Sequence, residues 1–119
     1  TMKDFEELGT AGTAAMALDL AWKGCDAVYL SFDIDSIDPG YAPGTGTPEP
    51  GGFTPREALE MVRIIAKEGL CAMEVVEVSP PYDVNDSTSQ LACRVILDTL
   101  GTMVTEGKLG HRDKVMRPE

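Results

Sequence analysis

A chain of 119 residues fits one domain, and a hydrophobic content of 43% argues for a globular chain rather than a disordered one. A net charge of −10 makes it a poor partner for nucleic acid or anionic membranes, and suits it to cationic ligands and metal ions. No apolar run reaches the roughly 18 residues of a membrane helix, and no signal peptide is visible at the start.

Thr1 with Asp4 reads as a helix cap, so residues 2–8 are expected to form a brief helix ended by Gly9. Residues 11–23 are Ala-rich and helical, with Met16 and Leu20 on one face and Leu18 and Trp22 half a turn round. Gly24 stops this helix. Ala27 to Phe32 is short, apolar and β-rich, which predicts a buried strand. The four prolines and five glycines of residues 34–53 exclude regular structure, and loops this long are usually functional.

Thr54-Pro55-Arg56-Glu57 is a helix start with a capping box, and the helix runs to about Glu68. Leu59, Val62, Ile65 and Ala66 line one face. Residues 70–78 read as a second buried strand, with Glu74 and Glu77 on opposite faces. Ser79-Pro80-Pro81 ends it. Asp86, Ser87 or Thr88 can cap a last helix over about 88–106, with Leu91, Val95, Ile96, Leu100 and Met103 as its apolar stripe. The tail over 108–119 is charged, is expected to be flexible, and holds the only histidine, His111.

Helices alternating with strands predict an α/β fold with parallel strands joined by crossover helices. Two strands make a narrow parallel sheet, so the pattern reads as the end of a larger doubly wound one. Such sheets bind ligands at the carboxyl ends of their strands, where Asp33, Asp35 and Glu77 fall. Cys25, Cys71 and Cys93 are odd in number and lack a C-x-x-C spacing, so they read as reduced thiols in core positions of a cytoplasmic protein.

The stretch from Ser31 to Gly52 carries most of the chemistry. Asp33, Asp35 and Asp38 crowd together directly after an apolar run, and such carboxylates repel unless a proton or a cation relieves them. Asp33 and Asp35, two apart at a strand end, point to one side and suit an oxygen-preferring divalent metal. The competing reading is that both cap backbone amides in the loop. Asp38, just before Pro39, reads as a turn residue. An EF-hand fails, because its fifth position would be Ile37. Gly44-Thr45-Gly46-Thr47 is no phosphate loop, because no G-K-[ST] follows. His111, alone in a charged tail, reads as a surface residue. Glu77 at a strand's carboxyl end suits a cation such as a guanidinium, or else a structural ion pair with Arg56 or Arg94.

These residues resemble one family, the ureohydrolases: arginase, agmatinase and their amidinohydrolase relatives. Residues 31–52 look like that family's second metal signature: S-F-D-I-D, then Pro39, Pro43-Gly44 and the closing Gly52. Residues 76–83, Val76-Glu77-Val78-Ser79-Pro80 followed by Tyr82-Asp83, look like its guanidinium-binding segment in agmatinase-like form. The resemblance runs from the first helix to residue 106 and implies the carboxyl-terminal portion of an arginase-like three-layer α/β/α fold.

By the same resemblance, Asp33 would bridge a pair of Mn²⁺ ions, Asp35 would ligate one of them, and Glu77 would hold a small guanidino substrate. The implied reaction is hydrolysis of a linear, agmatine-like guanidino compound to urea and an amine, in a homo-oligomer. The family's first-half motifs, G-G-D-H and D-x-H-x-D, are absent. The chain therefore reads as a fragment of such an enzyme, expected to be inactive alone. The alternative is a stand-alone, non-catalytic α/β module that oligomerises and at most binds metal weakly.

Overall fold

The computed structural model describes residues 1–109; His111 and the remaining expected tail, 110–119, lie outside them. Helix α1 spans Met2–Ala21, capped by Thr1, whose hydroxyl accepts from the Asp4 amide while Asp4 bonds back to the chain terminus. Gly9, at φ 68° and ψ 178°, breaks it into two segments, as the expected stop there requires. The buried side of its second segment is Ala14 with Leu18 and Trp22, one turn apart, whereas Met16 and Leu20 face solvent.

Strand β1 is Tyr29–Asp33 and strand β2 is Ala72–Val76, both shorter than the predicted runs. They pair in parallel, with Tyr29 opposite Ala72 and Asp33 opposite Val76. The connecting helix α2 is Pro55–Glu68, held at its start by the Thr54–Glu57 capping box. Its buried row is Ala58, Val62 and Ala66, spaced by one turn. Helix α3 is Ser87–Thr105. Its buried row is Thr88, Ala92, Val95, Thr99 and Met103, while Ile96 and Leu100 of the expected stripe are exposed. Thr99 can be buried because its hydroxyl donates to the Val95 carbonyl at 2.8 Å. At the end of α3, the Lys108 and Leu109 amides both donate to the Met103 carbonyl.

Helix α2 packs against both α1 and α3. Phe32 and Val75 point into a core shared with Ala58 of α2 and with Leu91 and Ala92 of α3. Leu30, on the same strand face as Phe32, lines a small apolar cavity with Leu18 of α1 and Ile65 of α2. All three helices thus cover one face of the sheet. The other face is open among the described residues: Tyr29, Ser31, Ala72 and Glu74 are exposed, so these strands are half-buried rather than buried. On that face Glu74 accepts from the Ser31 hydroxyl at 2.9 Å and from Tyr29, which hold its carboxyl below the usual range.

The core lies beneath the carboxyl ends of the strands, and the long loop contributes much of it. Ile34, Ile37 and Ala42 are fully buried there. Each isoleucine removed from water stabilises by about 1.5–3 kcal/mol. The loop is not wholly irregular, since Ile34–Ser36 form one turn of 3₁₀ helix. Cys25, Cys71 and Cys93 are exposed rather than in the core. Among the described residues, no helix is long and apolar enough to cross a membrane.

Candidate functional site

Parallel pairing puts Asp33 and Val76 side by side, so β1 and β2 end at the same level. Asp33 closes β1, and Asp35 sits in the 3₁₀ turn that follows. Asp33 Oδ1 accepts from the Asp35 amide at 3.1 Å, so this carboxylate does cap backbone as well as face the site. Its main-chain carbonyl accepts from Ser36 Oγ at 2.7 Å, which tightens the turn. Asp35 has no capping role; its Oδ2 accepts from Thr47 Oγ1 at 2.5 Å.

Partial burial pushes the Asp33 carboxyl above its usual range, and the neighbouring charges of Asp35 and Glu77 push the same way. The Asp35 amide pulls it back, but less than these together. Carboxylates from two successive βα turns therefore feel one another across the strand ends. That is the electrostatic signature of a site that gains by taking up positive charge.

Glu77 departs from the sequence expectation. It lies one residue beyond β2, exposed, with φ 64° in the left-handed region. Strand alternation therefore does not set its direction. Neither arginine considered for it is its partner among the described residues: Arg94 pairs with Asp98 at 2.7 Å, and Arg56 makes no ion pair. Among the described residues, Glu77 makes no ion pair, which leaves its carboxylate available to a cationic ligand.

Asp38 holds the loop, as its place before Pro39 suggests. Its carboxylate accepts from the Gly51 and Gly40 amides, each at 2.8 Å, and these bonds keep it below the usual range. Phe53 exchanges backbone bonds with Ser36 and Asp38, at 2.8 and 3.0 Å. Gly52 is needed for this approach, because a Cβ there would lie 2.5 Å from the Ser36 carbonyl oxygen. Phe5 of α1 packs edge-on against Phe53, with ring centroids 4.9 Å apart, and pins the loop's far end.

Three residues take roles here that their sequence positions do not announce. Thr47 holds Asp35 through its hydroxyl. Asp83 caps α3 in place of Asp86, which sits at φ 58° and makes no side-chain bond. The Asp83 carboxylate accepts from the Thr88 amide at 2.9 Å, and from the Ser89 amide and hydroxyl at 2.8 Å. Thr88, fully buried, accepts the Gly44 amide on its hydroxyl at 2.8 Å.

As a metal site this arrangement is incomplete. Two acidic side chains suit an oxygen-preferring ion, yet such ions take about six ligands. Among the described residues, no group of three His, Cys, Asp or Glu side chains could hold a metal. Asp33 and Asp35 can supply part of a coordination shell and no more.

The sequence profile described as the Arginase family matches residues 1–101. Human mitochondrial guanidino acid hydrolase is 48% identical over 77 residues, which are 65% of this chain and 22% of that protein. Guanidinopropionase of Pseudomonas aeruginosa is 42% identical over 99 residues, 83% of this chain and 30% of that one. The solved proclavaminate amidino hydrolase of Streptomyces clavuligerus superposes with a TM-score of 0.80 at 40% identity, over 89% of this chain and 35% of that one. The chain spans less than a third of the length of these two curated relatives. With the profile matched over residues 1–101 and a similar backbone in a solved amidino hydrolase, this chain belongs to the Arginase family.

Proposed function

We propose that the chain forms one part of the active site of a metal-dependent amidinohydrolase, which splits a linear guanidino compound into urea and an amine. The observation that carries this is the level pairing of Asp33 with Val76, which brings Asp33, Asp35 and the unpaired Glu77 to one end of adjacent parallel strands. Relatives named for guanidino acids and for agmatine support the substrate class. Asp33 and Asp35 would hold divalent ions, a pair of Mn²⁺, with the remaining ligands coming from protein outside these residues. Bound metal would supply hydroxide near neutral pH. Glu77 would accept the guanidinium in a charge-assisted, two-pronged hydrogen bond that orients its central carbon. Thr47 and the Asp38-held loop keep Asp35 in place while this happens.

The test is a chimera. This chain replaces the homologous stretch of Pseudomonas aeruginosa guanidinobutyrase, which is 51% identical to it over 77 residues. With Mn²⁺ the chimera should release urea from guanidino acids. Asp33→Asn and Glu77→Gln should each abolish release at unchanged folding. A folded chimera as active with Asp33→Asn as without it would refute the proposal.

A second reading, a non-catalytic module that self-associates, draws on the open sheet face and on exposed Leu97 and Val104 of α3. It requires concentration-dependent mass by light scattering, together with a chimera that folds and never releases urea.

A further inference from the structure

The carboxylates of the proposed site sit on two separate turns, and the sheet that aligns those turns stops at Asp33 and Val76. Beyond the strands, the link between them runs through the loop and the start of α3. Thr45 and Val78 form an antiparallel bridge, and the Ser79 amide donates to the Gly44 carbonyl at 2.7 Å. Gly44 is pressed against α3's cap, because a Cβ on it would lie 2.8 Å from Asp83 Cβ and 2.8 Å from Thr88 Oγ1. Its amide donates to that same buried hydroxyl. Three residues on, Thr47 donates to Asp35.

We infer that Thr88 is a positioning residue: its hydroxyl anchors Gly44, and through the Thr45–Thr47 segment it sets the orientation of Asp35 relative to Glu77. The inference rests on the reading of Asp33, Asp35 and Glu77 as the site's working carboxylates. Three features support it. Thr88 lies in the first turn of α3 and is fully buried, so the anchor is fixed to a rigid element. Among the described residues the Gly44 amide has no other acceptor, and a buried amide left unpaired is costly. The path from Gly44 to Thr47 is only three residues long and is clamped to Val78 midway. A shift at Gly44 is therefore passed to Thr47 rather than absorbed.

The experiment uses the isotopically labelled 119-residue chain without metal and compares Thr88→Val with Thr88→Ser. Valine keeps the shape and loses the hydroxyl; serine keeps the hydroxyl. In Thr88→Val, the Gly44 amide should exchange with solvent about tenfold faster. The Asp35 χ1 rotamer, read from three-bond couplings, should change from a single state to an average. Thr88→Ser should restore both readings. A Thr88→Val chain with a loosened Gly44 but an unchanged Asp35 rotamer would overturn the inference. Should Thr88→Val not fold, Thr47→Val decides the matter. It should free Asp35 while leaving Gly44 protected, and an undisturbed Asp35 rotamer there breaks the proposed path.

A Mn²⁺ titration of the same samples separates this inference from the functional reading. Absence of paramagnetic broadening at Asp33 and Asp35 in the unaltered chain counts against the metal role alone. The metal-free readings judge Thr88 in either case.

Discussion

Glu77 occupies a backbone region that costs a non-glycine residue roughly 1–2 kcal/mol. Such strain persists where the surroundings over-determine a conformation, as at binding sites. Glu77→Gly should therefore unfold at higher denaturant than Glu77→Ala, by about 1 kcal/mol in urea melts, although both lose the carboxylate. Equal melts would mean that the left-handed turn carries no strain. Asp33 is the electrostatic counterpart. Burial and the Asp35 and Glu77 charges oppose its ionisation, so Asp33→Asn should raise the Tm of the metal-free chain. Added Mn²⁺ should raise the Tm of the unaltered chain more than that of the variant, as ligand binding to the native state demands. Gly52→Ala should destabilise by roughly 1–3 kcal/mol in denaturant, since its methyl would press on the Ser36 carbonyl and the Asp38 amide.

Among the elements, α2, the Asp38 turn and the bounds of α3 were legible, and the side chain that caps α3 was not. The Thr54–Glu57 box and Pro55 are local signals read along four residues, and α2 begins where they say. Asp38 before Pro39 is equally local. The α3 cap comes from Asp83, well upstream of the helix and brought back by the Pro80–Tyr82 turn, so the spacing that marks a cap in sequence is missing. Burial pushes the Asp83 carboxyl up, but the Ser89 and Thr88 amides and hydroxyls outweigh it and hold it well below the usual range. A lowered folded pKa stabilises fully above the unfolded value of about 3.9, and that contribution fades as pH falls toward the folded value. Melts should therefore show Asp83→Asn less stable than the unaltered chain by a margin that stays constant from about pH 7 to about pH 5, above the unfolded pKa. The margin should narrow below about pH 4. A margin that widens on acidification would mean that Asp83 is protonated in the native state.

For the whole molecule, the parallel βαβ unit and the acidic carboxyl end of its strands could be read from the sequence, whereas the one-sided sheet could not. The predicted strands, AVYLSF and LCAMEVVEV, mix apolar runs with scattered polar residues, and only the packing of all three helices on the Leu30–Phe32 side decides which face is open. Burial of the cysteines was misjudged for a related reason: Cys25 and Cys71 lie in connections and Cys93 on the outer side of α3, and residue type alone does not report that. Asp33 and Asp35 were legible because a strand end and a D-x-D fix them locally. Glu77's direction was not, because it depends on a left-handed residue that no sequence pattern announced. If Asp33 and Asp35 form one part of a divalent-metal centre, Mn²⁺ should bind weakly and broaden backbone amide signals from Asp33 to Ser36 and on to Glu77. That broadening should be lost in Asp33→Asn. Broadening spread over the chain's surface acids, or unchanged by that substitution, would contradict that metal role.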